Sequence, residues 1–464
     1  MEKKLLKTYV ETMIGDTETP ITLYQKYVRK GEGFLLESKE QPKGRYSFLA
    51  TNPFIVVKAH GNQIDITSKG KTITKKGKAL EEVKRIVEEY DILNDTKLPF
   101  VGGAVGTVGY DTIKQYEKIP AENIDSIGTP DVHLMFVKEG IAYDHFNHTI
   151  YIIALEEDND QGKEIAEERI YEIKMMLKKD IIFEEDDEES EKLIFQSNVS
   201  KKTYEEAVER AKSYIYEGDI FQVVLSQRWS ARCETSPFTL YRRLRRLNPS
   251  PYMYYFRFDD YYIVGSSPEM LVELKEDKIS NCPIAGTRRR GKTEEEDKLL
   301  AEDLMGDEKE IAEHIMLVDL GRNDMGKVSK IGSVKVTKYM EVQNYSHVMH
   351  IVSVVEGDKR EDQDMFQVLM SFLPAGTLSG APKIRAMEII EELEISKRGI
   401  YGGAIGYFGF NQTMDMCIAI RTMVIKDDVV HIQAGAGIVA DSVPEVEYEE
   451  TRNKAQALIS AINN

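Results

Sequence analysis

Residues 183–192 read FEEDDEESEK, and seven of these ten side chains are acidic. Like charges at neighbouring positions repel, and the run offers almost nothing to bury, so no packed element can pass through it. It predicts an exposed linker over 183–193 and divides the 464 residues into a segment 1–182 and a segment 194–464. Just before it, residues 162–180 carry Ile165, Ile170, Ile173 and Met176 at helical spacing.

The first segment is otherwise rich in strand-like runs. GFLLES, RYSFLAT, FIVVKAHGNQIDITS and IAYDHFNHTIYIIAL mix β-branched and aromatic residues with polar or glycine punctuation. HGNQ (60–63) and DHFNH (144–148) read as hairpin turns, and a helix over 76–91 interrupts the strands. In the second segment Ser200 caps a helix through Ala207, Ala211 and Ile215. PFTLYRRLRRLNP is a helix stopped at Asn248–Pro249, and 308–324 is a helix ending near Gly321. IFQVVLSQRWSA alternates as a strand does. This mixture predicts an α+β fold rather than regular βαβ alternation. GGAVGTVGY (102–110) echoes GGAIGYFGF (402–410), which raises a common ancestral sheet for the two segments. Neither stretch has the GxxxxGK[ST] form of a phosphate loop, so their glycines read as strand positions that need close packing.

A net charge of −18 opposes the phosphate neutralisation that nucleic-acid binding requires, and it disfavours anionic membrane surfaces. No run of about 18 apolar residues occurs, so no membrane span is expected. Cys233, Cys282 and Cys417 are widely separated and suit neither a disulfide framework nor a zinc site. The expectation is a cytoplasmic protein with free thiols.

Chemistry concentrates in a few places. In VPEVEYEETRNK (443–454), Glu445, Glu447, Glu449 and Glu450 crowd together, either as a solvated helix face or as ligands of a hard cation. Glu447 and Glu450 share a helix face, as do Glu310 and Glu313, and two facing Glu-x-x-Glu pairs suit Mg²⁺ or Mn²⁺. A di-iron bundle site fails on spacing, because His314 follows Glu310 by four positions and not three. Thr377 and Ser379 precede a helix beginning near Pro382, where free N–H groups suit an anion. AGAGIVADS (434–442) allows close backbone approach. Arg421 lies in strand-like IAIRTMVI, either facing outward or paired with an anion.

Together PIAGTR (283–288), EHIMLVDLGRND (313–324), AGTLSGAPK (375–383) and AGAGIVADSVPEVEYEETRNKA (434–455) closely resemble the chorismate-utilising enzymes. LLES...GRYSFLA (35–50) resembles the amino-terminal domain found on the anthranilate-forming members. The resemblance implies two antiparallel sheets packed as a sandwich with helices outside, and a catalytic domain over 194–464. It implies Mg²⁺ on Glu313 and Glu450, with Glu310 and Glu447 behind them. Arg421, Tyr401 and the backbone of Gly435, Ala436 and Gly437 are implied as substrate contacts, with Thr287 and Thr377.

Three positions separate the family's reactions. Glu269 matches the general acid for the departing C4 hydroxyl. Gln222 stands where water-adding members carry an activating lysine. Ala285 stands where aminodeoxychorismate synthases carry a nucleophilic lysine. The resemblance thus implies amination of chorismate at C2 by ammonia, then loss of pyruvate to leave anthranilate, with His350 near the second step. No cysteine sits in a glutaminase elbow, so a separate glutamine amidotransferase subunit is implied, in a heterotetramer of two large and two small subunits. Ser38 and NPSPYM, with Pro249, Ser250, Pro251, Tyr252 and Met253, match the family's tryptophan feedback site. The alternatives are an aminodeoxychorismate synthase, which Ala285 argues against, and a non-catalytic scaffold that senses tryptophan.

Overall fold

The computed structural model describes residues 3–28, 31–38, 44–180, 192–345 and 348–463. Most of the acidic run, 183–191, lies outside the described residues. The rest forms one sheet of 13 strands and one of 12. Pairing is antiparallel throughout the named strands except where Lys4–Ile14 runs parallel to Tyr90–Leu93. The expected hairpins at 60–63 and 144–148 are present.

Apolar side chains from the inner faces of both sheets form a single core. Phe34, Phe256 and Ile263 of the larger sheet meet Val57, Leu134 and Met416 of the smaller. Helices Pro20–Tyr27, Asp160–Leu177, Pro237–Leu247 and Pro444–Asn463 cover the outer face of the larger sheet through Leu23, Ile170, Leu240 and Leu458. Each such fully buried side chain contributes about 1.5–3 kcal/mol relative to exposure. The α+β class expected from the sequence, and the two-sheet sandwich that the resemblance implies, are therefore the fold.

Each sheet draws strands from both sides of the acidic run, and each has a two-fold order. The larger sheet runs Gln222–Arg232, Val429–Ile438, Thr422–Lys426, Tyr261–Ser267, Tyr252–Arg257 to its centre. It then continues Gly33–Glu37, Tyr46–Thr51, Glu139–Asp144, Thr149–Glu157, Lys4–Ile14, which retraces the same connections in the other segment. In the smaller sheet the two echoing glycine stretches lie side by side at the centre. Ala404–Gly409 pairs with Gly103–Val108 and Gly406 falls opposite Gly106. A Cβ on Gly106 would lie 2.1 Å from the His133 carbonyl, and one on Gly406 1.9 Å from that of Asp415. Close backbone approach is what both glycines permit.

The chain changes sheets at matching points in the two segments. It leaves the larger sheet for the smaller at residues 52–54 and again at 268–269, and returns at 138 and at 419–421. Helix Glu308–Val328 begins where Asp307 Oδ1 accepts from the N–H groups of Lys309 and Glu310, at 3.1 and 3.2 Å. It does not end near Gly321 but runs on to Val328. Gly321 is there for packing, since a Cβ would lie 2.7 Å from Asn281 Oδ1. That contact outweighs the ~1 kcal/mol cost of a helical glycine.

Candidate active site

Two sheet-changing connections set Glu269 beside Arg421. The Ile418 N–H donates to the Glu269 carbonyl at 3.0 Å, and the Ser266 N–H donates to the Arg421 carbonyl at 3.1 Å. Arg421 is thus not the strand residue its neighbours suggested. It occupies the gap between Met414–Ile418 and Thr422–Lys426, with a left-handed φ of +48°. The step between sheets forces that conformation on a residue type that rarely adopts it. Burial holds its guanidinium below the usual arginine range, and among the described residues it has no hydrogen-bonded or ion-paired side-chain partner. A charge so placed calls for an anionic partner.

Glu269 is pushed up to about 7 by burial. Thr377 Oγ1, which donates to Glu269 Oε1 at 3.0 Å, and the charges of Arg421 and Lys454 moderate that rise. Glu269 is therefore substantially protonated at neutral pH and able to donate. Thr377 is held in turn. Buried Arg398 donates to the carbonyls of Leu378 and Val224 and to the Glu394 carboxylate, and it packs over the rings of Tyr110 and Tyr401.

Arg421 opens on a cleft of about 1090 Å³ that Thr287, His350, Glu450 and Lys454 also line. His350 Nδ1 lies 2.8 Å from the Gly286 carbonyl and 3.1 Å from Thr287 Oγ1. A carbonyl only accepts, so Nδ1 carries the proton and Nε2 keeps its lone pair. Burial lowers the imidazole, which keeps it neutral. Ala285, on the neighbouring strand Ile284–Arg289, is buried and offers no polar group.

Strand Val429–Ile438 supplies backbone. Its partner Thr422–Lys426 covers it only as far as Ile432, leaving 433–438 open on that edge. Lys454 Nζ donates to the Gly435 carbonyl at 3.0 Å, so that carbonyl faces the open edge. The N–H of the same strand residue points the same way, as does that of Gly437 two positions on. Ala436 between them points into the opposite core. Without a Cβ, Gly435 admits the Tyr401 hydroxyl and Gly437 admits the Gln222 amide. Lys454 belongs to no motif singled out above, although it follows Glu450 by four positions on one helix face and ion-pairs with it at 2.7 Å.

The acids occupy two helices. Burial and the charges of Glu310 and Glu450 hold Glu313 above the usual carboxylate range. Burial likewise raises Glu310 and Glu447. Their mutual repulsion and all-oxygen chemistry fit a hard divalent cation. Among the described residues no three such side chains converge closely enough to hold one as they stand, and Lys454 occupies Glu450. Glu445 pairs instead with Lys201, and Glu449 with Arg452.

Strand register sets Ser38 beside Tyr252, because Glu37 pairs with Met253. Pro249, Ser250 and Pro251 line the cleft wall, and the Ser266 hydroxyl donates to that of Ser250 at 2.8 Å. Tyr252 donates to Asp415 Oδ1 at 3.0 Å, on the inter-sheet side. Met253 points to the opposite face, into the core beneath the helices.

A cleft with one unpaired arginine, one proton-holding carboxyl and an acidic pair of helices defines an enzyme site for a small anionic substrate. The model of the chorismate binding enzymes matches residues 32–460, and the chain belongs to that family. It is 50% identical over 463 residues to anthranilate synthase component 1 of Acetivibrio thermocellus, covering 97% of this chain and 93% of that one. It is 46% identical over 472 residues to anthranilate synthase component 1 of Aquifex aeolicus, covering 99% and 94%. The crystal structure of anthranilate synthase component I from Streptococcus pneumoniae superposes with a TM-score of 0.83 at 41% identity, covering 96% of this chain and 98% of that one. The menaquinone-specific isochorismate synthase of Escherichia coli, 18% identical with a TM-score of 0.74, shares the fold. No helix among the described residues is long and apolar enough to cross a membrane.

Proposed function

We propose that this chain is the chorismate-binding component of an anthranilate synthase, aminating chorismate at C2 with ammonia and releasing pyruvate to leave anthranilate. The observation that carries the reading is the placing of an acid pushed up to about 7, Glu269, beside the uncompensated Arg421 on two neighbouring sheet crossings. Near-full-length likeness to anthranilate synthase components supports it.

Arg421 binds the carboxylate of the enolpyruvyl arm, with the N–H groups of Gly435 and Gly437 and the Tyr401 hydroxyl beside it. Thr287 contacts the ring side. This anchors the ring for attack at C2. Glu269, oriented by Thr377, protonates the C4 oxygen as its bond breaks. Gln222 and Ala285 supply neither a base for water nor an amine of their own, which leaves ammonia as the nucleophile. His350, neutral with a free Nε2, removes the C2 proton as pyruvate departs. Glu313 and Glu450 would hold Mg²⁺ once Lys454 releases Glu450, with Glu310 and Glu447 behind them, and the ion would supply Lewis acidity toward the ring carboxylate. Ammonia comes from a glutamine amidotransferase subunit in a heterotetramer of two large and two small chains in the cytoplasm. Tryptophan binds where Ser38 meets 249–253 and inhibits. Incubation with chorismate, Mg²⁺ and ammonium salt tests the reading: anthranilate fluorescence and equimolar pyruvate are expected, and their absence would refute it.

A further inference from the structure

Two sequence motifs, GRND (321–324) and APK (381–383), have no part in these steps, yet they meet. Lys383 Nζ lies 2.6 Å from Asp324 Oδ2, and Lys327 Nζ lies 3.0 Å from Asp324 Oδ1. The Asp324 and Lys383 side chains are buried, whereas Lys327 is half exposed. Asp324 shares a cavity of about 40 Å³ with Glu269, Thr377 and Asn281, and Leu317 and Leu320 form part of its wall. A water needs about 10–15 Å³ and two to four polar partners, so there is room for about three. Glu269 stands at a boundary. Its neighbours Pro268 and Arg421 face the substrate-sized cleft, and it faces the water-sized cavity.

We propose that this cavity is a water-filled proton conduit that recharges Glu269 from solvent by way of Asp324 and Lys327. The inference rests on Glu269 being the acid of the proposed reaction. There Glu269 gives its proton to the C4 oxygen as the C4–O bond breaks, and water leaves. Its carboxylate then takes a proton from a cavity water, which is replenished through Asp324 and the Lys327 ammonium from bulk solvent. The ammonium formed at C2 releases one proton to the cleft, so the proton count closes with no further reactant. The cleft side is covered while substrate or product is bound, and the conduit lets recharge proceed from behind. The charged groups facing Glu269 are Arg421 and Lys454, and those facing Asp324 are Lys383 and Lys327. Burial holds Lys383 below the usual lysine range, which suits a neighbour that shares a proton.

The test uses the full chain with chorismate, Mg²⁺ and fixed ammonium chloride at pH 8.5, comparing the parent with Asp324→Asn and Leu320→Phe. Leu320→Phe adds bulk to the cavity wall and leaves Asp324, Lys383 and Lys327 unsubstituted. Both variants are expected to keep the first-turnover rate but to lose about fivefold or more in steady-state kcat, with a larger solvent isotope effect. Formate, the ion present at pH 8.5 and the smallest carboxylate, is expected to restore Asp324→Asn. Equal losses in first and later turnovers, unchanged kinetics in Leu320→Phe, or the absence of rescue would each overturn the conduit. If Asp324→Asn fails to fold, Leu320→Phe decides. Failure of the parent to make anthranilate would instead remove the reaction on which the conduit depends.

Discussion

The two segments change sheets by the same route, and only one pair of crossings carries chemistry. In the second segment the crossings hold Glu269 and Arg421, and Arg421 faces an open cleft. In the first segment the corresponding crossings hold Phe54 and Lys138. Lys138 Nζ sits 5.1 Å from the Phe54 ring centroid and 5.3 Å from that of Tyr90, filled in by aromatic packing. The flanking strands differ too. Thr149–Glu157 is paired with Glu139–Asp144 as far as Ala154, but Val429–Ile438 loses its partner after Ile432. Leu155, the seventh of nine residues in its strand, packs onto Gly102, whereas Gly435 leaves its edge open. The crossing supplies a place to hold two side chains near each other. An uncovered strand edge and an uncompensated charge turn that place into a site.

That contrast can be broken by mutation. Glu269→Gln is expected to lower kcat/KM by on the order of a thousandfold, since a general acid contributes about 10²–10⁴. The same change should stabilise the fold at pH 8. Its folded-state pKa of about 7 lies above the ordinary 4.5, so the native state holds the extra proton. The burial cost is absent below pH 4.5, grows through that window and is fully present above about 7. Thermal melts at pH 8 should show Glu269→Gln more stable by on the order of 2 kcal/mol, and kcat/KM of the parent should fall as pH rises past 7. A less stable Glu269→Gln would contradict the burial argument.

Arg421→Gln should cost on the order of a hundredfold in kcat/KM with little loss of stability. Lys138→Met, its counterpart, should leave kcat/KM unchanged; equal kinetic losses in both would erase the distinction between the crossings. Next in size, Glu447→Gln, which removes a group behind the proposed ligands, should raise the Mg²⁺ concentration for half-maximal activity by about 10–100-fold. Glu445→Gln, which removes only an exposed pair with Lys201, should not. The smallest effect is expected from Thr377→Val. The lost hydrogen bond had favoured the ionised carboxylate, so the alkaline limb of the pH–rate profile should move to higher pH. A shift to lower pH would count against that orientation.

Much of the fold is legible in the sequence because local chemistry decides it. Alternation and turn residues mark the hairpins at 60–63 and 144–148, and Ser200 Oγ does accept from the Thr203 N–H at 3.1 Å. What local patterns miss is imposed by distant partners. Gly321 reads as a helix stop until Asn281 and Pro283 press against it. Arg421 reads as a strand residue because its apolar neighbours belong to strands, yet those strands lie in different sheets. The echo of GGAVGTVGY in GGAIGYFGF is visible in one dimension, but only the register shows Gly106 opposite Gly406. Helical spacing puts Lys454 on the face of Glu450, but in a segment this rich in charge that spacing does not single it out.

The most direct measurement is the fate of nitrogen. The parent chain, given chorismate, Mg²⁺ and ¹⁵N-ammonium, should yield anthranilate carrying ¹⁵N on the ring carbon next to the carboxylate, with one pyruvate per anthranilate. Label on the C4 carbon, or an unlabelled hydroxylated product, would contradict the assignment of Glu269, Gln222 and Ala285 to ammonia-dependent chemistry at C2.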